Sequence, residues 1–294
     1  MPMDYDTIKN WRFDEVRHRY DEKDTMLYAL GIGLGHDPLD AGQLRYVYER
    51  GLQAFPTLAT VLGYPGFWMS DPRAGIDWVR LVHGEQRLAL HAPLPASGTV
   101  VGRNRILHVI DKGAGKGALV VTERTLHDQA GTCLATLQHT TFCRGDGGFG
   151  RGDAGPPPLP AAPARAPDQQ CTLDVASNAA LLYRLSADRN PLHADPAIAR
   201  QAGYPQPILH GLCTYGMAAH AIVRTCCDYD ARRLSSLNAR FSSPVYPGET
   251  LRFDIWHGQD GALQFTVRAP ARDVVVMSHG TATTTAPGKE QPSP

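Results

Sequence analysis

The stretch 183–213, YRLSADRNPLHADPAIARQAGYPQPILHGLC, brings a carboxylate (Asp188), a carboxamide (Asn190), two imidazoles (His193, His210) and a glycine (Gly211) close together in the chain. A carboxylate and an imidazole that share one water form an acid/base pair, one removing the water's proton and one handing a proton to carbon. Each such group contributes roughly 10² to 10⁴-fold. Asn190, between them, can orient that water. Gly211 has no side chain, so a carbonyl oxygen can approach its backbone N–H, and losing one such donor commonly costs about 3 to 4 kcal/mol of transition-state stabilisation. Together these groups suit addition of water across a double bond conjugated to a carbonyl.

Positioning them is a matter of punctuation. The segment NAALLYRLSAD (178–188) has helical apolar spacing at Leu181, Leu182 and Leu185. Were that helix to continue, Asp188 and His193 would point about 140° apart. Pro191 forbids this, because it drives Asn190 out of the helical region and turns the chain. A short helix follows, with Asp195 as N-cap, Pro196 at its first position and Gly203 just past its end. Pro205 and Pro207 keep the chain extended up to His210-Gly211, where GLCTYGMAAHAIVRTC begins a longer helix. Its small residues Gly216, Ala218 and Ala219 allow a sheet to enclose it closely, and its start carries unpaired N–H groups and about half a positive charge. Alone, Asp188 reads as a surface carboxylate at a helix end and His193 as a buried, hydrogen-bonded histidine. Their joint occurrence with Asn190, Pro191 and His210-Gly211 favours catalysis. His210 itself reads as structural, capping the helix.

The rest of the 294-residue chain bounds the reading. Lys+Arg and Asp+Glu are balanced at 29 each, so no global field recruits nucleic acid or an anionic membrane. The N-terminal MPMDYDTIKNWRFDE is too charged for a signal peptide, and no apolar run reaches about 18 residues. A cytoplasmic protein of a prokaryote is expected, since GKEQPSP at the C-terminus is no peroxisomal address. Cys133, Cys143, Cys171, Cys213, Cys226 and Cys227 show no C-x-x-C spacing and read as reduced, mostly buried thiols, with a nucleophile at Cys213 a minority alternative. No metal-ligand cluster is expected, and His83, His91 and His108 taken alone are ordinary. D-K-G-A-G-K-G lacks phosphate-loop spacing and reads as a hairpin turn. G-D-G-G-F-G-R-G follows a strand but runs into prolines without a helix, so it is not a dinucleotide loop.

Residues 151–170, RGDAGPPPLPAAPARAPDQQ, form a Pro/Ala-rich linker between an N-terminal domain (1–150) and a C-terminal one (171–294). Each domain pairs a helical region with later antiparallel strands, so the class is α+β. Laid without gaps, LYALGIGLGHDP (27–38) sits on LYRLSADRNPLH (182–193), matching Leu27, Tyr28 and Leu30 to Leu182, Tyr183 and Leu185. Gly33 then stands where Asp188 does and Pro38 where His193 does, so this duplication leaves reactive side chains only in the second copy.

At these residues the sequence resembles the MaoC-like hydratases, and within them the hydratase 2 unit of peroxisomal multifunctional enzyme type 2, an (R)-specific 2-enoyl-CoA hydratase. The resemblance rests on D-R-N-P-L-H-A-D-P (188–196), G-Y-P-Q-P-I-L-H-G-L-C (203–213), A-R-F-S-S-P-V-Y-P-G-E-T-L (239–251) and, in the first half, H-G-E-Q (83–86), D-K-G-A-G (111–115) and G-G-F-G (147–150). It implies a double hot-dog, two antiparallel sheets each wrapped around a central helix, with only the C-terminal half catalytic. The N-terminal half would accommodate a bulky acyl chain. The acid/base pair falls on Asp188 and His193, the water-orienting amide on Asn190 and the oxyanion donor on Gly211. Substrate contacts fall on His83, Gly84, Lys112, Arg189, Pro191, Leu192 and Phe241, with Lys112 set against a CoA phosphate. Arg189 stands where relatives often carry an aromatic residue, which bears on acyl-chain length. The implied substrate is an acyl-CoA thioester, with no metal or separate cofactor, since CoA is part of the substrate. A homodimer is expected. The alternatives are a hot-dog acyl-CoA thioesterase and a non-catalytic acyl-CoA-binding protein.

Overall fold

Five strands of each half join edge to edge into one ten-stranded antiparallel sheet. The computed structural model describes residues 3–186 and 188–286. The first half runs α1 (Tyr5–Lys9), β1 (Val16–Tyr20), α2 (Glu22–Gly31), α3 (Ala41–Val47), β2 (Leu81–Leu90), β3 (Gly98–Asp111), β4 (Ala118–His127) and β5 (Cys133–Cys143). The second runs β6 (Gln169–Asp174), α4 (Ala179–Tyr183), α5 (Pro196–Gln201), α6 (Gly211–Cys226), β7 (Leu234–Phe241), β8 (Thr250–His257), β9 (Ala262–Ala269) and β10 (Val274–Thr284). Strand order across the sheet is β1-β3-β4-β5-β2-β7-β10-β9-β8-β6. The two halves of that order mirror one another, as an internal duplication demands. Further, Tyr28 and Tyr183, paired by the gapless alignment, meet with ring centroids 5.9 Å apart.

Helix α6 is the central helix of the second half. Its residues Cys213 to Val223 are all buried, against the sheet on one side and α2 on the other. Gly216 makes that proximity possible, since a Cβ there would collide with Ile32, the residue just past the end of α2. In the first half the stretch between α3 and β2 holds only short 3-10 helices, of which Pro56–Thr60, at five residues, is the longest.

Residues 151–168 form no strand or helix, yet they are pinned across the outer face of the sheet. Asp153 accepts from Val109 N (2.9 Å) and Lys9 Nζ (2.7 Å). Arg87 of β2 donates to Pro157 O (2.8 Å), Gln264 of β9 to Ala161 O (2.9 Å) and Trp256 of β8 to Arg165 O (2.9 Å). The segment is a strap from one half to the other, and β6 takes over at Gln169, ahead of the expected boundary at 171.

One helical expectation shortens. The helix read over 178–188 stops at Tyr183, and Leu181 and Leu185 of its apolar pattern are exposed. Its buried residues are instead Ala179, Ala180 and Tyr183, because Tyr183 packs against Tyr28 and His210.

Candidate active site

Pro191 performs the turn expected of it. Asn190 has φ −53° and ψ 125°, outside the helical region, and Pro191–His193 form a single 3-10 turn. Two side chains lock the bend: Asp188 Oδ1 accepts from Asn190 N (2.9 Å) and Asn190 Oδ1 accepts from Leu192 N (3.0 Å). The outcome is that Asp188 Oδ2 stands 4.0 Å from His193 Nε2. That gap is too long for a direct hydrogen bond. The pair also straddles a boundary, with the Asp188 side chain 55% exposed and that of His193 10%.

Both histidines are held by backbone oxygens. The ring N–H at His193 Nδ1 is directed at Ile208 O (2.8 Å), so the tautomer this implies leaves the Nε2 lone pair facing Asp188. Burial depresses the pKa of His193. His210 occupies the N-cap position of α6, but its side chain makes no capping bond, contrary to the expected role. Instead its Nε2 reaches Asp188 O (3.0 Å) and its ring stacks on that of His193, centroids 3.7 Å apart at 27°. Burial, with the neighbouring His193, pushes the His210 pKa down to about 4, so it is a neutral spacer that fixes both members of the pair. Asp188, His193 and His210 offer ligand atoms within 4.8 Å of one another. Nδ1 of His193 and Nε2 of His210 are already engaged with the backbone oxygens of Ile208 and Asp188.

Gly211 is the first residue of α6, where an N–H has no intrahelical acceptor. A Cβ on Gly211 would lie 3.2 Å from the Phe241 ring, so the glycine and the aromatic face one another closely. Phe241, at the end of β7, touches His83 of β2 (centroids 4.4 Å), which stacks on His139 of β5 (3.7 Å, 29°). Burial holds His83 well below the ordinary histidine range and His139 at about 4, the latter also repelled by Arg124. Between His83 and Glu85 the β2–β5 register slips, and Gly84 sits in that irregularity against Thr140 O.

Two family models match the chain. Residues 18–145 match the MFE-2 hydratase 2 N-terminal domain and residues 159–277 the MaoC like domain. Enoyl-CoA hydratase ChsH3 of Mycobacterium tuberculosis is 40% identical over 287 residues, covering 95% of this chain and 98% of its own. The chain belongs to the MaoC-like hydratases. A MaoC-like dehydratase from Phytophthora capsici superposes with a TM-score of 0.84 at 33% identity, over 95% of this chain and 98% of that one. Full-length peroxisomal multifunctional enzyme type 2 from Drosophila melanogaster superposes with a TM-score of 0.80 at 36% identity, over 92% of this chain and 48% of that longer one.

The remaining expected residues of this MaoC-like chain fall in two places. Pro191 and Arg189 are exposed and Leu192 is half-buried on the same turn. Lys112 lies at the β3–β4 turn in a cleft of about 350 Å³ that also takes in Arg151. The neighbouring Gly-rich segment is accounted for there, since the N–H groups of Gly113, Gly148 and Gly150 all bond the Asp111 carboxylate. Cys213 is no nucleophile: it is fully buried, donates to Gly31 O (3.2 Å), and burial pushes its thiol far up. Sequence reasoning missed His139 and Arg124. Only strand register brings His139 against His83 and Arg124 near His139, and neither belongs to a local motif.

Proposed function

We propose that the protein is an (R)-specific 2-enoyl-CoA hydratase, adding water reversibly to trans-2-enoyl-CoA to give (R)-3-hydroxyacyl-CoA. The observation that carries this is the 4.0 Å gap between Asp188 Oδ2 and His193 Nε2 beside the start of α6. A water about 2.8 Å from each can donate one hydrogen to the carboxylate and one to the imidazole. Its lone pairs then face outward to the substrate's β-carbon. The Asn190 carboxamide nitrogen, which has no partner among the described residues, supports the water's oxygen. As the C–O bond forms, the pair takes one proton from the water and the electrons of the double bond move onto the thioester oxygen. Gly211 N–H and the α6 dipole stabilise that enolate. The proton then passes from the pair to the α-carbon, balancing the addition.

His83, Gly84 and Phe241 form the wall facing the acyl group, with Arg189, Pro191 and Leu192 at its lip. Lys112 meets a CoA phosphate. A homodimer in the cytoplasm, needing no cofactor beyond its CoA substrate, completes the reading. Incubation with crotonyl-CoA or decenoyl-CoA tests it: enoyl absorbance should fall with no release of free thiol. Thiol release would identify a thioesterase, and tight binding without turnover an acyl-CoA-binding protein.

A further inference from the structure

One strand beyond His139 and diagonal to it lies Arg124 of β4, which pairs with Leu137 while His139 pairs with Thr122. β7, β2, β5 and β4 are consecutive in the sheet, and Arg124 lies on the inner face, two residues from the fully buried Leu126. Arg124 donates from Nη2 to Thr60 O (2.6 Å), its Nε is buried without a partner, and its guanidinium stands 5.9 Å from the Tyr64 ring. Among the described residues no carboxylate pairs with it. The adjacent acid, Glu123, points to the opposite sheet face, where it holds Arg105. The other titratable groups that sense Arg124 are His139, His18 and Tyr64, none of them an anion at neutral pH. Burial accordingly draws the guanidinium pKa down to about 10. An enclosed cation without a counter-charge is costly unless an anion arrives to meet it.

We propose that Arg124 receives a carboxylate at the far end of the acyl chain, so that the enzyme prefers enoyl-CoA esters of dicarboxylic acids. This rests on the hydratase reading. A thioester oxygen at Gly211 N–H lies beside Phe241, three strand spacings, or about 14 Å, from Arg124. A zig-zag chain of about ten carbon–carbon bonds covers that span. Between α3 and β2 the first half has no long helix, only the 3-10 helices Pro56–Thr60, Trp68–Ser70, Pro72–Ala74 and Trp78–Arg80. His139, neutral and next to Arg124, can donate a second hydrogen bond to the carboxylate.

The test compares trans-2-dodecenoyl-CoA with trans-2-dodecenedioyl-CoA as substrates of the full chain. It also compares the Kd of the saturated dodecanoyl and dodecanedioyl esters, which needs no turnover. The wild-type protein should favour the diacid about 10- to 100-fold in both kcat/KM and Kd. Arg124→Leu should abolish the preference while keeping turnover of the monoacid, and Arg124→Lys should restore part of it. If the leucine variant does not fold, Arg124→Gln serves as the neutral form. Equal handling of both esters by the wild type overturns the proposal. So does an equal loss on both in the variant, which would assign Arg124 to CoA. Diacid-selective binding without hydration of either ester would uphold the carboxylate site and reject the hydratase reading instead.

Discussion

Replacing Gly211 with alanine keeps the backbone N–H of the oxyanion donor and adds one methyl group. That methyl would lie 3.2 Å from two Phe241 ring atoms, a few tenths of an ångström inside ordinary contact. The ring has little room to yield, because His83 is against it at 4.4 Å and His139 is stacked on His83 at 3.7 Å. Overpacking of this kind typically costs about 1 to 3 kcal/mol. If the strain falls on the bound thioester, kcat/KM on decenoyl-CoA should drop by about 10- to 100-fold. The circular dichroism spectrum should not change. Phe241→Leu trims the ring, so the Gly211→Ala/Phe241→Leu double variant should recover most of the loss. An unchanged kcat/KM in Gly211→Ala, or a double variant no better than the single one, would refute the close packing of thioester, helix start and aromatic wall.

Three further outcomes are expected. His139, His210 and His220 are each pushed by burial to a folded-state pKa of about 4, against 6.5 ordinarily. The unfolded chain therefore binds more protons between those values, so stability is complete above about pH 6.5 and falls toward pH 4 by up to about 3 kcal/mol per histidine; equal urea midpoints at pH 7 and pH 5 would contradict this. Cys213→Ala should leave kcat/KM within a few-fold of wild type and lower stability by about 1 kcal/mol, measured by thermal unfolding; loss of activity in a folded variant would revive the thiol nucleophile. Lys112→Ala should raise KM for CoA esters several-fold with kcat little changed, the effect shrinking at high salt; a salt-independent fall in kcat would place Lys112 elsewhere in the reaction.

Much of the site was legible because it is local. Pro191 dictates the bend, Asp195-Pro196 and Gly203 bracket a short helix, and Gly211 opens a long one, all through backbone rules that act within a few residues. The duplication was legible from LYALG and LYRLS, and the mirrored strand order and the Tyr28–Tyr183 contact bear it out. What depends on long-range register was not. His139 reaches His83 through β2–β5 pairing, and Arg124 joins them from β4 across the sheet. His210 was misjudged as a cap because its ring has a stronger option, stacking on His193 while holding Asp188 O. Leu181 and Leu185 misled because helical periodicity does not say which face finds a neighbour.

The most direct test is a double-mutant cycle on the pair that flanks the 4.0 Å gap, with the rate of enoyl-CoA hydration measured for Asp188→Asn, His193→Ala and both together. If the two groups hold one water, each single variant loses at least about 100-fold and the double loses little more than the worse single. Losses that multiply, or a folded double variant that still hydrates, would show that Asp188 and His193 do not act on the same molecule.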